Sequence, residues 1–66
     1  MPLIQASIIQ GRTPEQKNAF LERVTAAAVE TLNAKPETVR VIINEVPAEH
    51  WGIGGVSKAV LDARKT

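Results

Sequence analysis

The chain has 66 residues, no cysteine, and eight Lys and Arg against seven Asp and Glu, for a formal charge of +1. That length allows one domain, taken as residues 1–66, and so short a chain buries only about 60% of the surface its unfolded form exposes, with no disulfide or thiolate metal site to compensate. A hydrophobic fraction of 44%, no basic run longer than Arg64-Lys65 and no apolar stretch near the ~20 residues of a membrane span argue against a disordered chain, a nucleic-acid binder and a membrane protein.

The N-terminus, Met1-Pro2-Leu3, lacks a basic n-region and does not read as a secretory signal, so a cytoplasmic setting is expected. Residues 3 to 9 (LIQASII) are rich in Ile and Leu and partly alternate, which predicts a strand ending shortly before Gly11. A helix start follows. Thr13 can cap, Pro14 suits the first helical position, and Gln16 completes a capping box with Thr13.

Phe20, Val24, Ala27, Ala28 and Leu32 recur at spacings of three and four and predict one buried face. The run Ala26-Ala27-Ala28 suits close approach to a sheet, and Glu15, Lys17, Glu22, Arg23 and Glu30 supply a polar side. Asn33 and Pro36 predict a stop near residue 33. Residues 39 to 46 (VRVIINEV) then read as a strand apolar on much of both faces, as expected of one covered on both sides.

Strand, helix and strand in that order form a βαβ unit with parallel strands. Pro47 ends the second strand, Gly52, Gly54 and Gly55 suit a tight hairpin-like turn, and residues 56 to 64 form a short terminal element of undefined type. The expected fold is α+β: a single β-α-β unit with parallel strands and a C-terminal hairpin. Phe20 and Trp51 are the only aromatics, so the core must be aliphatic, and a chain this small with this much apolar surface is expected to share it with other copies.

Familiar catalytic constellations are missing. There is one His, no metal-ligand spacing, and no Ser-His-Asp arrangement; Gly52-Ile53-Gly54-Gly55 has neither dinucleotide nor P-loop spacing, and a turn accounts for its glycines. Glu45 and Glu49 could pair as carboxylates or simply line a solvated edge, and His50, beside Trp51, could touch a substrate but better fits a loop position at a subunit contact.

Pro2 carries a different possibility. A small residue behind Met1 permits methionine removal, after which Pro2 would present a secondary amine on a rigid ring. An ordinary α-amino group titrates near ~7.7–8.0, and an apolar wall or a nearby guanidinium disfavours its protonated form, leaving a neutral general base. With Met1 attached, the same nitrogen is an amide and cannot act.

Arg12 lies just past the first strand and Arg40 near the start of the second, so Pro2 and Arg40 share an edge of a parallel sheet. From Pro2 to Arg12 the chain spans roughly 25–30 Å at ~3.3 Å per strand residue, so an Arg12 serving the same site must come from another subunit. Two guanidinium groups and a neutral base suit a small dicarboxylate or keto acid. Taken one at a time, these positions are more simply a stiff residue behind Met1 and two arginines in surface ion pairs.

The blocks Met1-Pro2-Leu3-Ile4, Gly11-Arg12-Thr13-Pro14-Glu15-Gln16-Lys17, Val39-Arg40-Val41-Ile42-Ile43 and His50-Trp51-Gly52-Ile53-Gly54-Gly55 resemble the 4-oxalocrotonate tautomerase family over nearly the whole chain. The resemblance implies a β-α-β protomer assembled as a homohexamer, a trimer of dimers. It implies an amino-terminal proline base at Pro2 and substrate arginines at Arg12 and Arg40, contributed by neighbouring subunits. It further implies an aromatic wall at Trp51, where the family usually has Phe, and a substrate-orienting backbone amide at Ile9.

The implied reaction is proton transfer on a small unsaturated keto or dicarboxylic acid such as 2-hydroxymuconate, with no metal or organic cofactor. Related dehalogenases carry an extra Arg and a water-activating Glu, and the matching positions here, Ile9 and Ile53, are apolar, which disfavours hydration chemistry. The alternative from another class is a non-catalytic oligomer of the same fold that binds an acidic metabolite.

Overall fold

A computed structural model describes residues 2–64 of the chain. The first strand, β1, is Leu3–Ile9, and the long helix, α1, is Pro14–Leu32. A 3-10 turn at Pro36–Thr38 leads into β2, Arg40–Val46, and another at Ala48–His50 leads into the short strands β3, Gly52–Ile53, and β4, Val56–Ser57. Helix α2, Lys58–Ala63, follows directly and resolves the undefined terminal element. The α+β class, the parallel β-α-β unit and the C-terminal hairpin are as expected.

Local chemistry explains the boundaries. The Thr13 hydroxyl accepts the Gln16 N–H at 3.1 Å while the Gln16 side chain accepts the Thr13 N–H at 2.9 Å, so two helix-end donors are satisfied reciprocally. Asn33 ends α1 in the left-handed region at φ 55°, a conformation asparagine tolerates better than most residues. In the hairpin, Gly54 and Gly55 both have positive φ, 59° and 87°, as the favoured two-residue turn requires.

β1 and β2 run parallel, with Leu3 opposite Arg40 at one end and Ile9 opposite Val46 at the other. Ile4, Ala6, Ile8, Val41 and Ile43 lie half-buried on the side covered by α1, whereas Leu3, Gln5, Ser7, Arg40, Ile42 and Asn44 are exposed on the opposite face. The second strand is therefore covered on one side only within a protomer, not on both. Ile42, which the two-faced pattern would bury, stands open at 43% exposure, and so does Leu3 of β1 at 59%.

The phase of α1 differs from expectation in the same way. Its inward stripe runs through Lys17, Leu21, Val24, Ala28 and Val29; Ala26 and Ala27 are exposed, and so are Phe20 and Leu32, the latter at 64%. Lys17, assigned to the polar side by type, instead sits half-buried and forms a 2.9 Å ion pair with Glu45, tying α1 to β2.

Among the described residues only Ala28 and Val39 are buried apolar side chains. The radius of gyration is 15.4 Å, with extents of 46 × 24 × 15 Å, where a compact chain of this length would have roughly 11 Å. The accessible area of 5074 Å² likewise exceeds the roughly 4,100 Å² of a compact monomer of this mass. At the C-terminal end, α2 rests mainly on the 3-10 turn at Ala48–His50.

Candidate active site

At the leading end of the sheet, the Pro2 carbonyl accepts the Arg40 N–H at 3.0 Å, so the two residues do share an edge. They occupy opposite faces of it. Pro2 is half-buried and continues the inward parity of Ile4, Ala6 and Ile8, whereas Arg40 is exposed and opposite Leu3. Its Nη1 donates to the Glu37 carbonyl at 2.7 Å, folding the guanidinium back over the 3-10 turn. A protomer's own Arg40 is thus anchored at the right end of the sheet but on the far side from its Pro2 ring.

The trailing end gathers three of the residues singled out above. Gln10 extends the ladder by donating to the Val46 carbonyl at 3.0 Å, and Gly11, at φ 129°, redirects the chain into Arg12 and the Thr13 cap. The positive φ explains glycine at this position, since a side chain there would be strained. Arg12 stands between two concavities. One, about 310 Å³, is lined by Ile8, Arg12, Gln16, Lys17, Phe20 and Ile43; the other, about 410 Å³, by Ser7, Ile8, Ile9, Arg12, Trp51 and Lys58.

Arg12, Ile9 and Trp51 therefore meet in one cavity. The Arg12 guanidinium makes no hydrogen bond or ion pair among the described residues, although it lines both hollows. Trp51 is half-buried, held by its N–H to the Ala48 carbonyl at 3.3 Å and by its carbonyl, which accepts the Lys58 N–H at 2.7 Å. An unpaired guanidinium beside an indole and aliphatic walls has the donors to fork a carboxylate, and such charge-assisted bonds strengthen as water is displaced.

Six strand steps separate Leu3 from Ile9, about 20 Å at ~3.3 Å each. One protomer thus holds Pro2 and Arg40 at one end and Ile9, Arg12 and Trp51 at the other, and does not bring the groups together. Three residues lining the hollow of Ile9, Arg12 and Trp51 were not singled out as site residues in the sequence, Ser7, Ile8 and Lys58. Lys58 carried a faint signal, because Ser57-Lys58 followed by Asp62 has a capping serine and an i,i+4 ion pair, and both are present. Glu45 pairs with Lys17 and not with Glu49, and His50 is exposed at the end of its 3-10 turn. No helix among the described residues is long and apolar enough to cross a membrane.

The sequence pattern of tautomerase enzymes matches residues 2–61, nearly the whole chain. The chain belongs to the tautomerase family. It is 59% identical over 59 residues to a probable tautomerase of Ralstonia nicotianae, spanning 89% of this chain and 84% of that one. To the 2-hydroxymuconate tautomerase of Comamonas testosteroni it is 51% identical over 57 residues, or 86% of this chain and 90% of the relative. Among solved structures, a 4-oxalocrotonate tautomerase homologue from the tomaymycin biosynthetic pathway superposes with a TM-score of 0.95 at 45% identity, covering 98% of this chain and all of that one. This tautomerase is a 4-oxalocrotonate tautomerase-like isomerase, and its β-α-β fold sets the length over which a site must be built.

Proposed function

We propose that this tautomerase interconverts enol and keto forms of a small unsaturated 2-hydroxy or 2-oxo acid, such as 2-hydroxymuconate, using the amine of Pro2 as general base. Met1 lies outside the described residues, and the proposal requires its removal. The Pro2 nitrogen takes the proton from the 2-hydroxyl as the carbonyl forms at that carbon, then returns it to a conjugated carbon, in a 1,3 or 1,5 sense. Arg40 of a neighbouring copy faces the oxygen where negative charge develops. Arg12 of another copy holds the distal carboxylate, and the Ile9 amide and the Trp51 wall orient the chain of carbons and keep water away from the amine.

The observation that carries this reading is the separation of the two half-sites along β1. A pair related by a two-fold axis, with sheets antiparallel, lays the Pro2 end of one copy against the Arg12 end of the other, and symmetry makes two such sites at once. The exposed Leu3, Ile42, Phe20 and Leu32 offer the apolar surface such contacts need. Three such pairs packed through their open sheet faces would form a homohexamer, and a cytoplasmic setting suits a chain without cysteine.

Pro2→Ala tests the base. Enol-to-keto conversion of 2-hydroxymuconate, followed by absorbance, should fall by about 10²-fold or more in a variant of unchanged assembly, and the intact mass of the native protein should lack Met1. Undiminished turnover by the variant, or a native chain uniformly carrying Met1, refutes the assignment; the latter result favours a protein of the same fold that only binds an acidic metabolite.

A further inference from the structure

We propose that Lys58 is a second carboxylate-binding group of this tautomerase, converging with Arg12 on the distal carboxylate and so favouring doubly over singly charged unsaturated acids. The inference rests on the reading of the Arg12 cavity as part of the substrate site. Lys58 is the first residue of α2, and its position is fixed twice over: its N–H donates to the Trp51 carbonyl at 2.7 Å, and the preceding Ser57 hydroxyl accepts the Val60 N–H at 3.3 Å. The side chain is half-buried and lines the same hollow as Arg12, Ile9 and Trp51.

Its ammonium is paired with Asp62 one helical turn away. An exposed i,i+4 pair of this kind is worth little, so exchanging one Asp62 contact for a substrate carboxylate costs little. Inside the hollow the balance differs. Ile8, Ile9 and Trp51 exclude water from one side, and a carboxylate there is bound more strongly than at the open surface. An ammonium offers three donors, so Lys58 can add a bond to an anion already forked by the Arg12 guanidinium while Asp62 balances part of the added charge. A substrate with no distal carboxylate gains nothing from this pair of cations. The contribution of Lys58 therefore appears as discrimination between two substrates, not as a general rise in rate.

The test compares kcat/KM for 2-hydroxymuconate, a diacid, with that for phenylenolpyruvate, a monoacid, in the parent, Lys58→Met and Lys58→Arg proteins. Losing one charge-assisted bond should lower the diacid-to-monoacid ratio about tenfold in K58M, mainly through KM, and K58R should restore most of it. A ratio unchanged within twofold, or an equal loss on both substrates, overturns the proposal. Because the ratio is internal to each protein, a small loss of active assembly does not imitate the effect. An unchanged ratio alongside an inactive Pro2→Ala removes the role of Lys58 alone, whereas an active Pro2→Ala removes the base assignment and leaves the Lys58 ratio to be judged separately.

Discussion

If the pocket is shared between copies, two dead proteins should revive one another. Pro2→Ala removes the proposed base but keeps Arg12; Arg12→Ala removes the proposed carboxylate receptor but keeps Pro2. The separation along β1, about 20 Å from Leu3 to Ile9 before the chain even reaches Arg12, prevents either residue from reaching the other within one chain. In a two-fold pair each pocket takes Pro2 from one copy and Arg12 from the other. When equal amounts of the variants are unfolded together and refolded, half of all pockets receive an intact Pro2, and half of those receive an intact Arg12. About one quarter of the parent activity should return, while each variant refolded alone stays at its own residual level. Native mass spectrometry of variants distinguished by a mass label verifies that mixed assemblies form. Activity no higher than the mean of the two variants' residual levels in a demonstrably mixed population would refute the shared pocket, because it would mean that Pro2 and Arg12 of one chain serve the same site.

Two further outcomes concern the scaffold. Thr13→Ala removes half of the capping box at the start of α1 and should cost about 1 kcal/mol in urea-unfolding free energy, with Thr13→Ser restoring most of it; equal stability of T13A and the parent would show that the cap is idle. Lys17→Met breaks the bridge to Glu45 but keeps the apolar stem against the sheet, so the loss should stay below about 1 kcal/mol and shrink at high salt. A larger, salt-independent loss would mean that packing around residue 17, and not charge, holds α1 to β2.

Elements defined by short-range chemistry were legible in the sequence. Ile-rich alternation marked β1, Thr13-Pro14 and Gln16 marked the head of α1, Asn33 its end, and Gly54-Gly55 the hairpin; each is found where its local signal lies. What could not be read was which apolar stripe meets the protomer's own sheet. α1 carries one stripe through Leu21, Val24 and Ala28 and another through Phe20 and Ala27, and β2 is apolar on both faces. Periodicity reports that a side chain seeks cover without reporting whose atoms will provide it, so Phe20, Ala27, Leu32 and Ile42 were assigned to a core they do not join.

The candidate site divides along the same line. Ile9, Arg12 and Trp51 meet in one hollow although some forty residues of chain separate the first from the last, and the family resemblance, not spacing, singled out Ile9 and Trp51. Ser7 and Lys58 escaped notice because nothing in their type distinguishes them. Only the hairpin, by returning Lys58 beneath Trp51, gives that lysine a place beside Arg12. Lys17 was misjudged for a similar reason: a charge was read as solvent-seeking when its partner, Glu45, lay 28 positions away.

The seven residues of β1 act as a ruler. Removing or adding two of them would keep the inside-outside alternation intact, yet would shift Pro2 relative to Arg12 by about 6.6 Å along the strand, and so across every pocket of the proposed assembly at once. Changes of length in this strand are therefore closed to gradual adaptation, while changes of side chain at Ile9, Trp51 or Lys58 leave the ruler untouched. New substrate preferences on this scaffold should arise by repainting the far wall of the pocket, with the distance across it held constant.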